Sequence, residues 1–108
     1  MASPDSMSVG ELAALRTSGE PHTLVDVREP WEVELCRIEG ALSIPLQTLP
    51  ARLSELPTDR PVVVFCHHGG RSAQAVAWLR RQGLGRAINL DGGIDSWARA
   101  IDTTVGTY

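Results

Sequence analysis

The six residues Pro61-Val62-Val63-Val64-Phe65-Cys66 constrain this chain more than any others. A run that is apolar at every position has no face to offer water, so it belongs in the middle of a sheet covered on both sides. The residues after it, His67-His68-Gly69-Gly70-Arg71, are polar and glycine-rich. Helical spacing resumes from Ser72 to Gln82, with Ala73, Val76 and Ala77 as the expected inward face. Arg80 and Arg81 then suit the negative end of the helix dipole, and Gly83 suits its cap.

The same alternation runs through the chain. Ser8-Val9-Gly10-Glu11 is a capping box, followed by Leu12 and Ala13 on the face of Val9, and Gly19 and Pro21 stop that helix. Thr23 to Val27 reads as a buried strand, and Pro30 opens a short helix over Trp31 to Leu35. Ala41 to Ile44 is a short strand. Leu46, Leu49, Leu53 and Leu56 recur at helical spacing, with Pro50 tolerable only in a first turn. Arg86 to Leu90 is another strand, and Gly92-Gly93 introduces a helix with Ile94, Trp97, Ala98 and Ile101 inward. Strands separated by helices imply a parallel sheet with helices on both faces. Such sheets bind ligands beyond the carboxyl ends of their strands, which is where the Cys66 loop begins.

With 108 residues the expectation is one domain over 8–102, a disordered N-terminus over 1–7 and a short tail over 103–108. The ten basic residues are all arginine. That excludes Schiff-base lysine chemistry and a Walker-type phosphate loop. A net charge of −3 argues against a nucleic-acid binder. No apolar run approaches the ~18 residues of a membrane span, and no secretory leader is read at the start. The expected location is cytoplasmic, with Cys36 and Cys66 reduced.

The chemistry concentrates in Cys66-His67-His68-Gly69-Gly70-Arg71-Ser72. A cysteine attacks as thiolate, so a working one needs its pKa lowered. A tight loop into a helix N-terminus turns successive amides inward and adds partial positive charge. Gly69 and Gly70 permit the φ values of such a cradle, and Arg71 brings a cation with a fork suited to oxyanions. The competing account makes Cys66 a buried strand-end residue and the glycines ordinary turn residues. Cysteine, two glycines and arginine compressed into one loop favour the cradle.

These residues resemble the single-domain rhodaneses, the thiosulfate sulfurtransferases. Leu24-Val25-Asp26-Val27-Arg28-Glu29-Pro30-Trp31-Glu32 resembles the first signature of that family. Ile38-Glu39-Gly40-Ala41 with Ile44-Pro45 resembles the next, the Cys66 loop with Ser72 resembles the active-site loop, and Leu90-Asp91-Gly92-Gly93-Ile94 with Trp97 resembles the closing block. The resemblance implies a three-layer α/β/α rhodanese-like fold with a mostly parallel sheet of about five strands. It implies that Cys66 attacks the outer sulfur of thiosulfate or another anionic donor and holds it as a persulfide. A thiol or a protein acceptor then takes that sulfur. The amides of His67, His68, Gly69, Gly70, Arg71 and Ser72 would stabilise the persulfide. No cofactor or metal is implied, and a monomer or weak dimer is expected.

Two alternatives stand beside this reading. One is a partner-dependent sulfur-relay or interaction module that turns over thiosulfate poorly. The other is a phosphatase-like enzyme, but related phosphatase loops place five residues between Cys and Arg. Here there are four, a cradle that fits a sulfur atom better than a phosphoryl group. Arg28 is either an anion guide at the mouth of the site or half of an ion pair with Asp26. Cys36 is read as a spare thiol, Trp97 as core, and Glu29, Glu32 and Glu34 as a solvated helix face. Zinc at Cys66, His67 and His68 is not expected, because adjacent residues rarely converge on one ion. The stretch Glu34-Leu35-Cys36-Arg37-Ile38-Glu39-Gly40 is similar to rhodanese domains fused to E1-like enzymes that activate sulfur carriers. So is the tail from Trp97 to Tyr108, although Thr103-Thr104-Val105-Gly106 replaces the prolines expected there. That similarity implies delivery to a carrier protein.

Overall fold

The computed structural model describes residues 5–108. The central strand lies where the apolar run requires it. Val62–Phe65 (β4) is buried at all four positions and is flanked on both sides. Around it stand Ser6–Met7 (β1), Thr23–Asp26 (β2), Leu42–Ser43 (β3) and Ala87–Leu90 (β5), in the order β1-β5-β4-β2-β3. Every pairing is parallel: Val64 lies opposite Val25 in β2 and opposite Asn89 in β5. With all strands pointing one way, the loops after β2, β4 and β5 emerge along one edge.

Side-chain alternation along β4 divides the core in two. Val62, Val64 and Cys66 join Val25, Leu49, Val76 and Leu79 on one face. Val63 and Phe65 join Leu12, Ile94, Trp97 and Cys36 on the other. The helices Val9–Ser18 (α1), Pro30–Leu35 (α2), Gly70–Arg81 (α3) and Gly93–Ala100 (α4) complete the layers. The α1 capping box forms as expected: the Glu11 amide donates to Ser8 Oγ at 3.1 Å, and the Ser8 amide donates to Glu11 Oε1 at 3.0 Å.

Some local expectations change. Ser6 and Met7 pair with Asn89 and Leu90 as an edge strand, so the loose N-terminus expected over 1–7 does not extend to them. Met1–Pro4 lie outside the described residues. Helix α3 begins two residues early, at Gly70, and buries Ser72, Ala75, Val76 and Leu79, while Ala73 and Ala77 are exposed. The early start lets its first turn close over the Cys66 sulfur, and that fixes the face. The leucine-rich segment is two 3₁₀ turns, Leu46–Thr48 and Pro50–Glu55, because Pro50 brings no amide hydrogen to continue a helix.

Candidate active site

Cys66 leaves β4 on the face covered by α3, and the chain turns back over it at once. Gly69 makes the turn at φ +113°, a conformation open to glycine. Gly70 already lies in the helix, so Gly69 alone supplies the positive φ. The Gly69 amide donates to Cys66 Sγ at 3.1 Å and the Ser72 amide at 3.4 Å, with Ser72 Oγ 3.3 Å away. The Ser72 hydroxyl also donates to Asn89 Oδ1 at 2.5 Å, and Asn89 Nδ2 reaches Gly69 O at 3.4 Å, tying the loop to β5.

Cys66 is 1% exposed. Burial by itself pushes its thiol up. The contact with the Ser72 side chain and the hydrogen bonds from the amides of Ser72, Gly69 and Arg71 outweigh burial and hold it below the ordinary thiol value. Alkylation of Cys66 by neutral iodoacetamide should therefore rise with pH and level off earlier than for a free thiol. Ser72→Ala should move that inflection upward. An inflection at the free-thiol position in both proteins would show that the cradle does not activate the sulfur.

The loop is also gripped from behind by α4. Ile94 N donates to Cys66 O at 3.0 Å and Asp95 N to His67 O at 3.1 Å, so the first turn of α4 satisfies its orphan amides on the active-site backbone. Gly93, at φ +60°, permits the approach. The His68 side chain points outward, but that of His67 does not. Its ring stacks on His68 at 3.9 Å and on Tyr108 at 3.9 Å, and its Nε2 is buried without a hydrogen-bond partner among the described residues. His67, His68 and Asp95 bring donor atoms within 4.8 Å of one another. The two imidazoles are stacked at 27°, however, so their in-plane lone pairs do not converge on one point.

Of the two readings of Arg28 the ion pair with Asp26 is the one the structure contains, and Arg71 departs from expectation. Arg28 is 0% exposed and cannot act as a guide at the mouth. Its Nε and Nη2 hold the Asp26 carboxylate, Nη2 also donates to Cys36 O, and Nη1 donates to Glu32 O and Tyr108 Oη. All five guanidinium hydrogens are thereby engaged. Arg28 is a structural tie between β2, α2 and the tail. Arg71 does lie at the loop, but its fork is taken: Nη1 and Nη2 reach Glu32 Oε1 and Oε2 at 2.6 and 2.8 Å.

Glu32 is the correction with the widest consequence. It is 3% exposed, not on a solvated face. Its carboxylate receives Arg71, the Tyr108 hydroxyl at 2.6 Å and the Glu29 amide at 3.0 Å. Arg71 is the main reason its carboxyl is held down at about 2, against opposition from burial. Because the folded pKa lies below the ordinary 4.5, the stabilisation is complete above about pH 4.5 and is lost as pH falls toward 2. The shift corresponds to about 3 kcal/mol. Glu32→Gln should be less stable than wild type by up to that amount at pH 7 in urea titrations, and the gap should close as pH falls toward 2. A gap that does not change with pH would separate Glu32 from acid stability.

Glu32, Asn89, Gly93 and Tyr108 were not read from sequence as parts of the site. Glu32 and Gly93 sat inside recognised blocks, which was the available signal. Asn89 and Tyr108 join through contacts that no local pattern announces.

Residues 8–100 match the family model described as Rhodanese-like domain. A sulfurtransferase of Allochromatium vinosum is 51% identical over 76 residues, covering 70% of this chain and 71% of that protein. The probable adenylyltransferase/sulfurtransferase MoeZ of Mycobacterium tuberculosis is 37% identical over 100 residues, 91% of this chain but only 26% of that longer protein. A rhodanese-like domain protein from Staphylococcus aureus superposes with a TM-score of 0.82 at 31% identity, covering 86% of this chain and 90% of the other.

Proposed function

Because this chain belongs to the rhodanese-like domain family, and the family carries sulfur transfer, we propose that Cys66 is the nucleophile and carrier of the transferred sulfur. Its thiolate attacks the outer sulfur of thiosulfate. The new S–S bond takes the place of the bond to the sulfonate group, and sulfite leaves with that bonding pair. The enzyme then holds a persulfide on Cys66. An acceptor thiolate, from a small molecule or a protein, attacks the terminal sulfur and releases Cys66 as thiolate. No proton donor is needed for either displacement.

The observation that carries this reading is the convergence on Cys66 Sγ of the Gly69 amide at 3.1 Å and the Ser72 amide at 3.4 Å, with Ser72 Oγ in contact at 3.3 Å. These donors suit a sulfur anion and, after loading, a terminal sulfur placed slightly farther out. The amides of His67, His68, Gly70 and Arg71 continue the same turn. Arg71 stands beside the cradle as a partly exposed cation for anionic donors, partly neutralised by Glu32. The setting is proposed to be a cytoplasmic one in which the thiols stay reduced.

Intact mass after exposure to thiosulfate, a polysulfide and a low-molecular-weight persulfide tests the assignment. The expected product is one sulfur atom heavier and reverts on addition of a thiol. Loading by the persulfide alone would identify a relay module in place of a thiosulfate enzyme. No gain from any donor would end the carrier reading.

A further inference from the structure

Tyr108 connects two ion pairs that would otherwise be separate. The Asp26–Arg28 pair is buried against the sheet and the Arg71–Glu32 pair lies at the loop. Between them the Tyr108 hydroxyl accepts from Arg28 Nη1 at 3.1 Å and donates to Glu32 Oε2 at 2.6 Å. That oxygen is also the one held by Arg71 Nη2 at 2.8 Å. The Tyr108 ring lies parallel to His67 at 3.9 Å, 6° from coplanar, and meets Trp31 edge-on at 6.4 Å. A tail residue is thus clamped over the active-site loop by its ring and wired into the loop's cation by its hydroxyl.

Two consequences follow for charge. A phenol that receives a hydrogen bond from a guanidinium donates more strongly, because bonds in a chain polarise one another. The donated proton draws electron density from the Glu32 oxygen that would otherwise be given wholly to Arg71. Arg71 therefore keeps more of its positive charge for a third party. The same bond holds the carboxylate in place, and with it the fork of Arg71.

We propose that Tyr108 is a positioning residue for anion capture, joining Arg28 to Glu32 so that Arg71 stays fixed and under-neutralised beside Cys66. The proposal rests on the reading of Cys66 as a nucleophile that meets anionic sulfur donors, and it assigns the selection of those donors to a contact made by the tail. Tyr108→Phe isolates the effect, since the ring and its stacking on His67 remain while the hydroxyl is lost.

The test compares alkylation of Cys66 by anionic iodoacetate and neutral iodoacetamide, read at the Cys66 peptide by mass spectrometry. In each reaction the thiolate forms a C–S bond and iodide leaves. Tyr108→Phe should lower the iodoacetate-to-iodoacetamide rate ratio at least about threefold, with Arg71→Gln lowering it further. A 4-aminophenylalanine at position 108, which again donates toward Glu32, should restore most of the ratio and keeps the proposal testable if the Phe variant folds poorly. A merely structural role would slow both reagents alike and leave the ratio unchanged. An unchanged ratio in Tyr108→Phe, or in Arg71→Gln, overturns the proposal. The ratio needs no sulfur transfer, so a wild-type protein that fails to load sulfur but shows the drop would refute the carrier reading alone.

Discussion

Cys66→Ala is expected to leave less than about one thousandth of the wild-type sulfur-transfer rate, because the proposed step passes through a bond to that sulfur and no neighbour can supply another. Cys36 is the obvious substitute and is excluded by its position. It packs with Phe65 and Trp97 on one face of the sheet, whereas Cys66 packs with Val64 and Val76 on the other. The two thiols are free, buried and separated by β4, so they can neither replace one another nor form a disulfide without unfolding the sheet. Cys36 also sits 3.9 Å from Arg28 Nη1, a contact that serves the buried network. Ser72 has an oxygen near the site, but its hydroxyl is committed to Asn89 and no group adjoins it as a base. The check is thiosulfate:cyanide turnover, together with the intact mass after donor treatment, for Cys66→Ala and Cys36→Ala. Loss in the first and retention in the second is expected. Turnover surviving in Cys66→Ala would move the nucleophile elsewhere.

The parts of this architecture that sequence reveals are those with local causes. Four consecutive buried residues in β4 follow from an apolar run, and the cradle follows from cysteine, glycine and a helix start lying within seven positions. The α1 cap is readable because both of its partners lie three residues apart. What stays hidden depends on distant partners. A glutamate among other glutamates on a short helix looks solvated until Arg71, 39 positions on, and Tyr108, 76 positions on, are brought to it. Arg28 presents the same difficulty. Next to a strand end and a cysteine loop it can be read as an anion guide or as the partner of Asp26, and the fold shows every donor spent on the second role. Helix α3 misleads in a smaller way, since alanines fit either face and the burial of Ser72 is decided by the sulfur above it.

The charge balance around the cradle has the same origin. Asp26, Arg28, Glu32 and Arg71 carry two negative and two positive charges in one connected network. In the proposed reaction the attraction for a sulfur anion therefore comes first from backbone: the amides of Gly69 and Ser72 and the N-terminal turn of α3. Side chains refine it. Backbone donors are fixed by the fold, do not titrate and need no reorganisation as charge develops on sulfur. Their accuracy depends on the loop being held still, and that is the task of α4.

Gly93→Ala should therefore damage stability and activity together. A Cβ at this position would stand 2.4 Å from Cys66 O, 2.5 Å from His67 O and 2.7 Å from the His67 carbonyl carbon. None of these is a flexible side-chain end; all belong to the backbone that carries Cys66. Relief requires the loop and the start of α4 to separate, which breaks the bonds from Ile94 N to Cys66 O and from Asp95 N to His67 O. Two such bonds contribute about 1 kcal/mol each, and an alanine held at φ +60° adds about 1–2 kcal/mol, so a loss of about 3–4 kcal/mol is expected. Moving the Cys66 carbonyl also moves its sulfur relative to the Gly69 and Ser72 amides, and a shift near 1 Å in such a site costs on the order of a hundredfold in rate. Gly83→Ala provides the comparison. Gly83 also has positive φ, at +98°, but a Cβ there meets nothing within 4 Å. It should carry the conformational cost alone, about 1–2 kcal/mol, with its Cys66 chemistry intact. Urea unfolding and Cys66 alkylation rates measured on both variants decide the matter. Equal stability and equal alkylation in the two would show that α4 does not hold the loop.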